Sequence, residues 1–318
     1  MTNLFKSLKS HIVSHDTRHE YAKQESRPPE WAAAPEISHT RGQYNEAPDQ
    51  EFRDGLSFCQ QNPLSPPSLF PTFAIDRIKA EGAKAWGLQL PSSQDRFSGR
   101  VDNIPPDSKE RNVVHVATDR YCKDYCLLSD LPIGAGLYDT HGREGVYFEV
   151  AIHEMHPPES FIAIGTSCLP YPVFRLPGWN RQSSGWHLDD LRKFFEDPDG
   201  GRDYTHNGQP LPLPYNPQNR REQYIPSGST IGCGYTFKTG SIFYTFNGIR
   251  LPNAFDGAHL PRHERDVFAA IGVSGQTNFD VNFGGEPFRW WRVEGIVERL
   301  TFGEASSSAG DELPAYSR

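Results

Sequence analysis

The stretch IGCGYTFKTGSIFYTFNGIRL, residues 231–251, decides how the chain folds. Ile231-Gly232-Cys233-Gly234-Tyr235 and Ser241-Ile242-Phe243-Tyr244-Thr245-Phe246 are short, aromatic and β-branched, the composition of strands. Between them, Lys238-Thr239-Gly240 supplies a turn whose glycine takes the positive φ that a tight reversal needs. Asn247-Gly248 follows at once as a two-residue hairpin signal and feeds Ile249-Arg250-Leu251. Local chemistry alone predicts three antiparallel strands here.

Working outward, Val146-Tyr147-Phe148-Glu149-Val150-Ala151-Ile152 alternates as a half-buried strand does, and Phe161–Gly165 is a short apolar run suited to a core strand. Val267–Val273 and Phe279–Phe283 complete the set. Strands at this spacing with no amphipathic helices between them predict an all-β, two-sheet antiparallel sandwich. Leu188–Phe195 is the exception, expected as a helical turn, and Trp290 and Trp291 are expected to close the domain with at least one packed.

The rest of the 318 residues divides by composition. Residues 1–54 are rich in charge, His and Pro with little apolar clustering, so disorder is expected there. Leu4, Phe5, Leu8 and Ile12 sit at helical spacing beside Lys6 and Lys9, which leaves a frayed polar terminus and a weak membrane-surface helix as the two readings. Residues 55–111 form a proline-rich extension. In it Asn62-Pro63-Leu64-Ser65-Pro66-Pro67-Ser68-Leu69-Phe70-Pro71 is polyproline-like, and a short helix capped at Thr72 runs to about Gly87. Residues 112–300 hold the sandwich, and 301–318 are a Ser/Gly/Ala tail expected to be disordered.

No run approaches the ~18 apolar residues of a bilayer span, and no apolar signal segment opens the chain. A net charge of −8 argues against nucleic acid as a partner, since that needs a basic face. Five cysteines without regular spacing fit reduced thiols in the cytoplasm, and Cys122-x3-Cys126 has no second pair to complete a zinc site, so it reads as two buried small side chains.

Seven motifs in order resemble the SPRY domain family. They are Gly145–Val150, Ile162–Gly165, Pro170-Tyr171-Pro172-Val173-Phe174-Arg175-Leu176-Pro177-Gly178-Trp179, Ile231–Tyr235, Gly240–Gly248, Ala270–Val273 and Val281–Gly284. The Pro-Tyr-Pro…Arg-Leu-Pro-Gly-Trp block resembles in particular the fungal branch that includes adaptors of HECT-type ubiquitin ligases. That resemblance implies a SPRY-type antiparallel β-sandwich, protein partners, and a place at the cytosolic face of endosomal or vacuolar membranes in protein transport. It also implies an N-terminal membrane anchor, which is not found in this sequence, and proline-tyrosine motifs for WW domains. Leu313-Pro314-Ala315-Tyr316 is an L-P-x-Y variant of the latter, with Pro314 set for an aromatic groove and Tyr316 beside it.

A search for catalytic groups finds no G-x-S-x-G, no H-E-x-x-H and no phosphate-cradling loop. Asp189, Asp190, Glu196, Asp197, Asp199 and Asp203 lack the spacing of a calcium loop and read as a solvated acidic loop. His187 beside Asp189 and Asp190 has no nearby nucleophile. No enzyme activity and no cofactor are expected. The expected protein-binding surface is the Pro170–Asp190 loop. Its Tyr171, Phe174, Arg175, Trp179, Arg181 and Trp186 are the aromatic and arginine types that anchor interfaces. Arg175, Trp179 and Arg181 are expected at the surface, while Trp186 is as well suited to the core. The chain is expected to be an adaptor linking a protein partner to a WW-domain ubiquitin ligase for sorting or degradation. The rival reading is a scaffold subunit without a ubiquitin link.

Overall fold

Residues Gly145–Glu154 show how the sandwich is made. Val146, Phe148, Val150 and Ile152 are buried in the main core on one side, whereas Tyr147 joins a separate cluster on the other. A computed structural model of the chain describes residues 49–290, apart from 93–95, 107, 141 and 199. The expectations placed on residues 1–48, on Trp291 and on the tail with Leu313, Pro314 and Tyr316 lie outside the described residues.

One sheet has the order β1 (Gly99–Asp102), β2 (Val114–Thr118), β15 (Asn278–Asn282), β4 (Gly145–Glu154), β11 (Thr230–Thr236), β12 (Ser241–Phe246) and β13 (Ile249–Phe255). The second has the order β3 (Tyr125–Leu128), β14 (Val267–Ser274), β5 (Phe161–Cys168), β6 (Ser183–His187), β7 (Arg192–Phe195) and β8 (Arg202–Asp203). Neighbouring strands pair antiparallel throughout, for example Ile164 with Trp186 and Ile271 with Ile164. A separate hairpin joins β9 (Thr205–His206) to β10 (Gln209–Pro210). The inner faces meet through Phe148, Ile164, Trp186, Tyr244, Ile271 and Val281, all fully buried.

The two predicted hairpins are present. Thr236 pairs with Ser241 across a turn closed by Gly240 at φ 60°. Phe246 pairs with Ile249 across Asn247 and Gly248, both left-handed at φ 49° and 80°, the conformation of a type I′ turn. The helical turn expected over Leu188–Phe195 is instead strand β7, which pairs Phe194 with Gly185 after a reversal in which Leu191 takes φ 61°. Pairing on both sides, with the preceding strand β6 and the following strand β8, overrides the helical pattern.

Among the described residues two α-helices precede the sheets: α1 (Asp49–Gln61) and α2 (Thr72–Glu81). Helix α2 starts where expected, but Pro71 is its N-cap, so Thr72 is the first helical residue rather than the cap. Helix α1 corrects the sequence reading, which assigned 49–54 to disorder. It is held by contacts with residues distant in sequence, Arg96, Phe174 and Arg181 among them.

Candidate functional site

The Pro170–Arg181 segment lies across the outer face of the second sheet. Tyr171 packs there on Cys126, Leu128 and Ala270, and its hydroxyl donates to the Leu176 carbonyl at 2.5 Å. Two glycines let the backbone come this close. A Cβ on Gly185 would lie 2.1 Å from the Pro177 carbonyl oxygen, and one on Gly272 would lie 2.7 Å from Pro177 Cδ. Ser183 Oγ fixes the next turn by accepting from the Gly178 amide at 2.9 Å.

Arg175 is 1% exposed, lies 4.5 Å from the centre of the Trp179 ring and donates from Nε to Asn180 Oδ1 at 3.0 Å. Its Nη1 is buried with no hydrogen-bond partner among the described residues. Burial pulls the Arg175 pKa down, a pull opposed by Tyr171 and the carboxylates of Glu51 and Asp124. Trp179 is 3% exposed against His187, with ring centres 5.5 Å apart.

Helix α1 covers this layer. Gly55 is buried, and a Cβ there would sit 3.2 Å from Arg175 Cδ and from the Asn180 amide. Phe58 meets Phe174 edge to face at 6.4 Å. Arg181 donates to the carbonyls of Cys59 at 2.5 Å, of Asn62, and of Pro170 at 3.3 Å. On the other flank, Arg96 pairs with Glu51 at 2.7 Å and lies over the Phe174 ring.

Of the six residues singled out from sequence, five therefore meet in one layer under α1. The surface position expected for Arg175 and Trp179 is overturned, because helix and sheet enclose both. Arg181 and Phe174 are half-buried, and Tyr171 is enclosed. Trp186 stands apart, in the core between the sheets, with Tyr204 and Tyr244 5.5 and 5.3 Å away. The sequence reading missed Glu51, Gly55, Phe58 and Arg96. The helical spacing of Phe52, Leu56 and Cys59 was the available signal, and Gly55 in its midst obscured it.

The remaining reactive side chains are packed, and burial dominates their protonation. His187 is enclosed with Nε2 3.0 Å from the Pro177 carbonyl oxygen, and burial lowers its pKa to about 4. His259 is likewise lowered to about 4 by burial, while burial raises Cys168, 3.6 Å from its Nδ1, to about 12. That pair holds a thiol and a neutral imidazole, the reverse of an activated nucleophile and base. Cys122 and Cys126 are both buried, and their thiols are pushed up for the same reason. The acidic loop is less solvated than expected: Asp189 and Asp190 are half-buried, and burial followed by the charge of Asp189 raises the Asp190 pKa. Among the described residues no three His, Cys, Asp or Glu side chains gather to hold a metal ion, and no helix is long and apolar enough to cross a membrane.

The opposite face of the sandwich carries a second covering. Gly232 and Gly234 of β11 leave room for the Tyr147 and Phe243 side chains to lie over the strand. Trp290 and Phe288 pack on them, and Trp290 is 4% exposed. Packing of Trp290 meets the expectation placed on the tryptophan pair.

Residues 145–286 match the SPRY domain family. The chain is 27% identical over 263 residues to Protein ssh4 of Sclerotinia sclerotiorum, an alignment covering 81% of this chain and 42% of that protein. It is 30% identical over 195 residues to a SPRY domain-containing protein of Schizosaccharomyces pombe, covering 61% of this chain and 42% of the other. Among solved structures, a human SPRY domain matches at 21% identity and a TM-score of 0.37, covering 56% of this chain and 98% of that one. The SPRY domain of human HERC1 matches at 9% identity and a TM-score of 0.36, covering 56% and 92%. The chain spans less than half the length of these curated fungal relatives. The similarity to the SPRY domain family thus covers the greater part of the sandwich and somewhat less than half of the chain.

Proposed function

We propose that the chain is a non-catalytic adaptor whose SPRY domain holds a protein partner at the face of the sandwich covered by α1. The observation that carries this reading is the layered block itself. A SPRY sandwich here supports an aromatic–arginine layer that leads to no reactive group, only to packed and uncharged side chains. Tyr171, Arg175, Trp179 and the more distant Trp186 serve as the rigid platform. The rim made by Phe174, Arg181 and the exposed Leu56 of α1 is the contact surface. Rigid support beneath a few half-exposed anchors is how interfaces concentrate their energy.

The link to sorting or degradation rests on the resemblance to fungal ubiquitin-ligase adaptors and on Leu313, Pro314 and Tyr316, which would engage a WW domain at the cytosolic face of a membrane. Two comparisons test the two halves separately. Affinity purification with mass spectrometry of the full chain against Leu56→Asp is expected to lose a defined set of partners, and an unchanged set would remove the α1 rim from the interface. Retention on purified WW domains is expected to fall in Tyr316→Ala, and equal retention would end ligase recruitment through this motif.

A further inference from the structure

Apart from Asn62, whose carbonyl Arg181 holds, the proline-rich run between the two helices takes no part in the surface just described, yet it is held as a well-defined ridge. Prolines 63, 66, 67 and 71 fix their own φ near −65° and push the residue before each toward extended backbone. Pro71, at φ −60° and ψ 148°, has polyproline II geometry. That helix repeats every three residues, and so does the burial. Leu64, Pro67 and Phe70 turn inward: Leu64 packs on the core, Pro67 sits against Gly136, and Phe70 stacks on Tyr138 at 4.8 Å. The positions one before and one after each of them, Pro63, Ser65, Pro66, Ser68, Leu69 and Pro71, are exposed.

The run is also tied down from behind. Ser65 N donates to the Leu169 carbonyl, Ser68 N to Asp266 Oδ2 and Phe70 N to the Tyr138 hydroxyl, each at 2.9 Å. The carbonyls of Pro63 to Leu69, by contrast, accept no hydrogen bond among the described residues. No residue from Asn62 to Pro71 is charged.

A polyproline helix is a three-edged prism, and domains that read it grip two edges while the third points away. Here the third edge is the one fastened to the sandwich. The two free edges present Pro63 and then Ser65-Pro66 and Ser68-Leu69 as two successive dipeptides, each ending in a proline ring or a leucine. We propose that residues 62–71 are a built-in ligand for a small domain with an aromatic-lined, uncharged polyproline groove. In such a groove Trp and Tyr rings receive Pro63, Pro66 and Leu69, and their N–H and O–H groups donate to the free carbonyls. Because the run is already held in the bound conformation, little ordering entropy opposes binding. Its contact residues, Pro63, Pro66 and Leu69, are not those of the α1 rim or of the tail motif.

The test uses the full chain against an array of purified WW and SH3 domains. One or more of these is expected to retain wild type and Tyr316→Ala equally. The same domains are expected to bind the double variant Pro66→Ala/Leu69→Ala, and separately Ser65→Glu, at least tenfold more weakly. All of these positions are exposed, so the melting temperature is expected to stay at the wild-type value. Loss of all retention in Tyr316→Ala would assign binding to the tail alone and overturn the proposal. So would a failure of every domain to retain the wild-type chain, or retention of both ridge variants within twofold of wild type.

Discussion

Arg181 donates its guanidinium to the main-chain carbonyl of Cys59, 122 residues away, at 2.5 Å. The same group reaches the carbonyl of Asn62, so one side chain serves the open C-terminal end of α1, where helix carbonyls lack partners of their own. Arg181→Ala is therefore expected to destabilise the protein by about 2–3 kcal/mol, the scale of charge-assisted hydrogen bonds left unmade. Arg181→Lys is expected to recover only part of this, since a single ammonium cannot span the fork. Urea unfolding measures the cost. Limited proteolysis should show cleavage within 49–62 rising in the alanine variant, and unchanged cleavage would mean that Arg181 does not hold the helix.

Gly185→Ala tests the layer beneath. Its Cβ would lie 2.1 Å from the Pro177 carbonyl oxygen, a backbone atom that cannot swing aside. The Pro170–Arg181 segment would have to lift from the sheet, at a cost of about 3 kcal/mol by analogy with overpacked cores. Gly208→Ala is the matched control, because it meets open space and carries only the strain of a left-handed φ of 75°, about 1 kcal/mol. Equal loss of stability in the two variants would show that close packing at Gly185 is not what the site requires.

These two sites also mark what the sequence reveals. The hairpins at Gly240 and Asn247-Gly248 were legible because a turn is encoded by the residues that make it. Strand β7 was not, because pairing with Gly185 and Trp186 decides its conformation. The Pro170–Arg181 block was legible as a unit but not as a layer. Residue type suggested exposed anchors, and only the α1 contacts, brought from more than a hundred residues away, show why Arg175 and Trp179 are enclosed. Gly55 reads locally as a helix weakness, whereas in the fold it lets the helix come close to Arg175 and Asn180.

His187 gives the protein an acid limb with a defined sign. Burial first, and Arg175 second, lower its pKa to about 4, against the Pro177 carbonyl that favours the proton. The folded state thus binds fewer protons than the unfolded state, whose His titrates near 6.5. Stability is full above about pH 6.5 and falls as pH drops toward 4, by about 3 kcal/mol from this group. Asp124, raised to about 6 mainly by burial, works in the opposite sense, so the contribution is read as a difference between variants. In His187→Gln, the stability lost between pH 7 and pH 4, measured by urea unfolding, is expected to shrink by about 3 kcal/mol. A pH dependence identical to wild type would show that His187 is not held neutral.

On the far face, Glu149 accepts the Arg289 amide at 3.0 Å, the Trp290 amide at 3.1 Å and the Tyr147 hydroxyl at 2.8 Å. It therefore holds the segment whose Trp290 ring seals Tyr147 and Phe243, so the polar and apolar contacts fasten one strap. Trp290→Ala is expected to cost about 3 kcal/mol as a large buried side chain is removed. Glu149→Gln turns a donor toward amides that need acceptors and is expected to cost about 2 kcal/mol. Once either change frees the strap, water reaches the other contact and its loss matters less. The double variant is accordingly expected to fall short of the sum of the single costs by about 1 kcal/mol in a double-mutant cycle. Strict additivity would mean that Glu149 and Trp290 act independently and that the segment is not a single fastening.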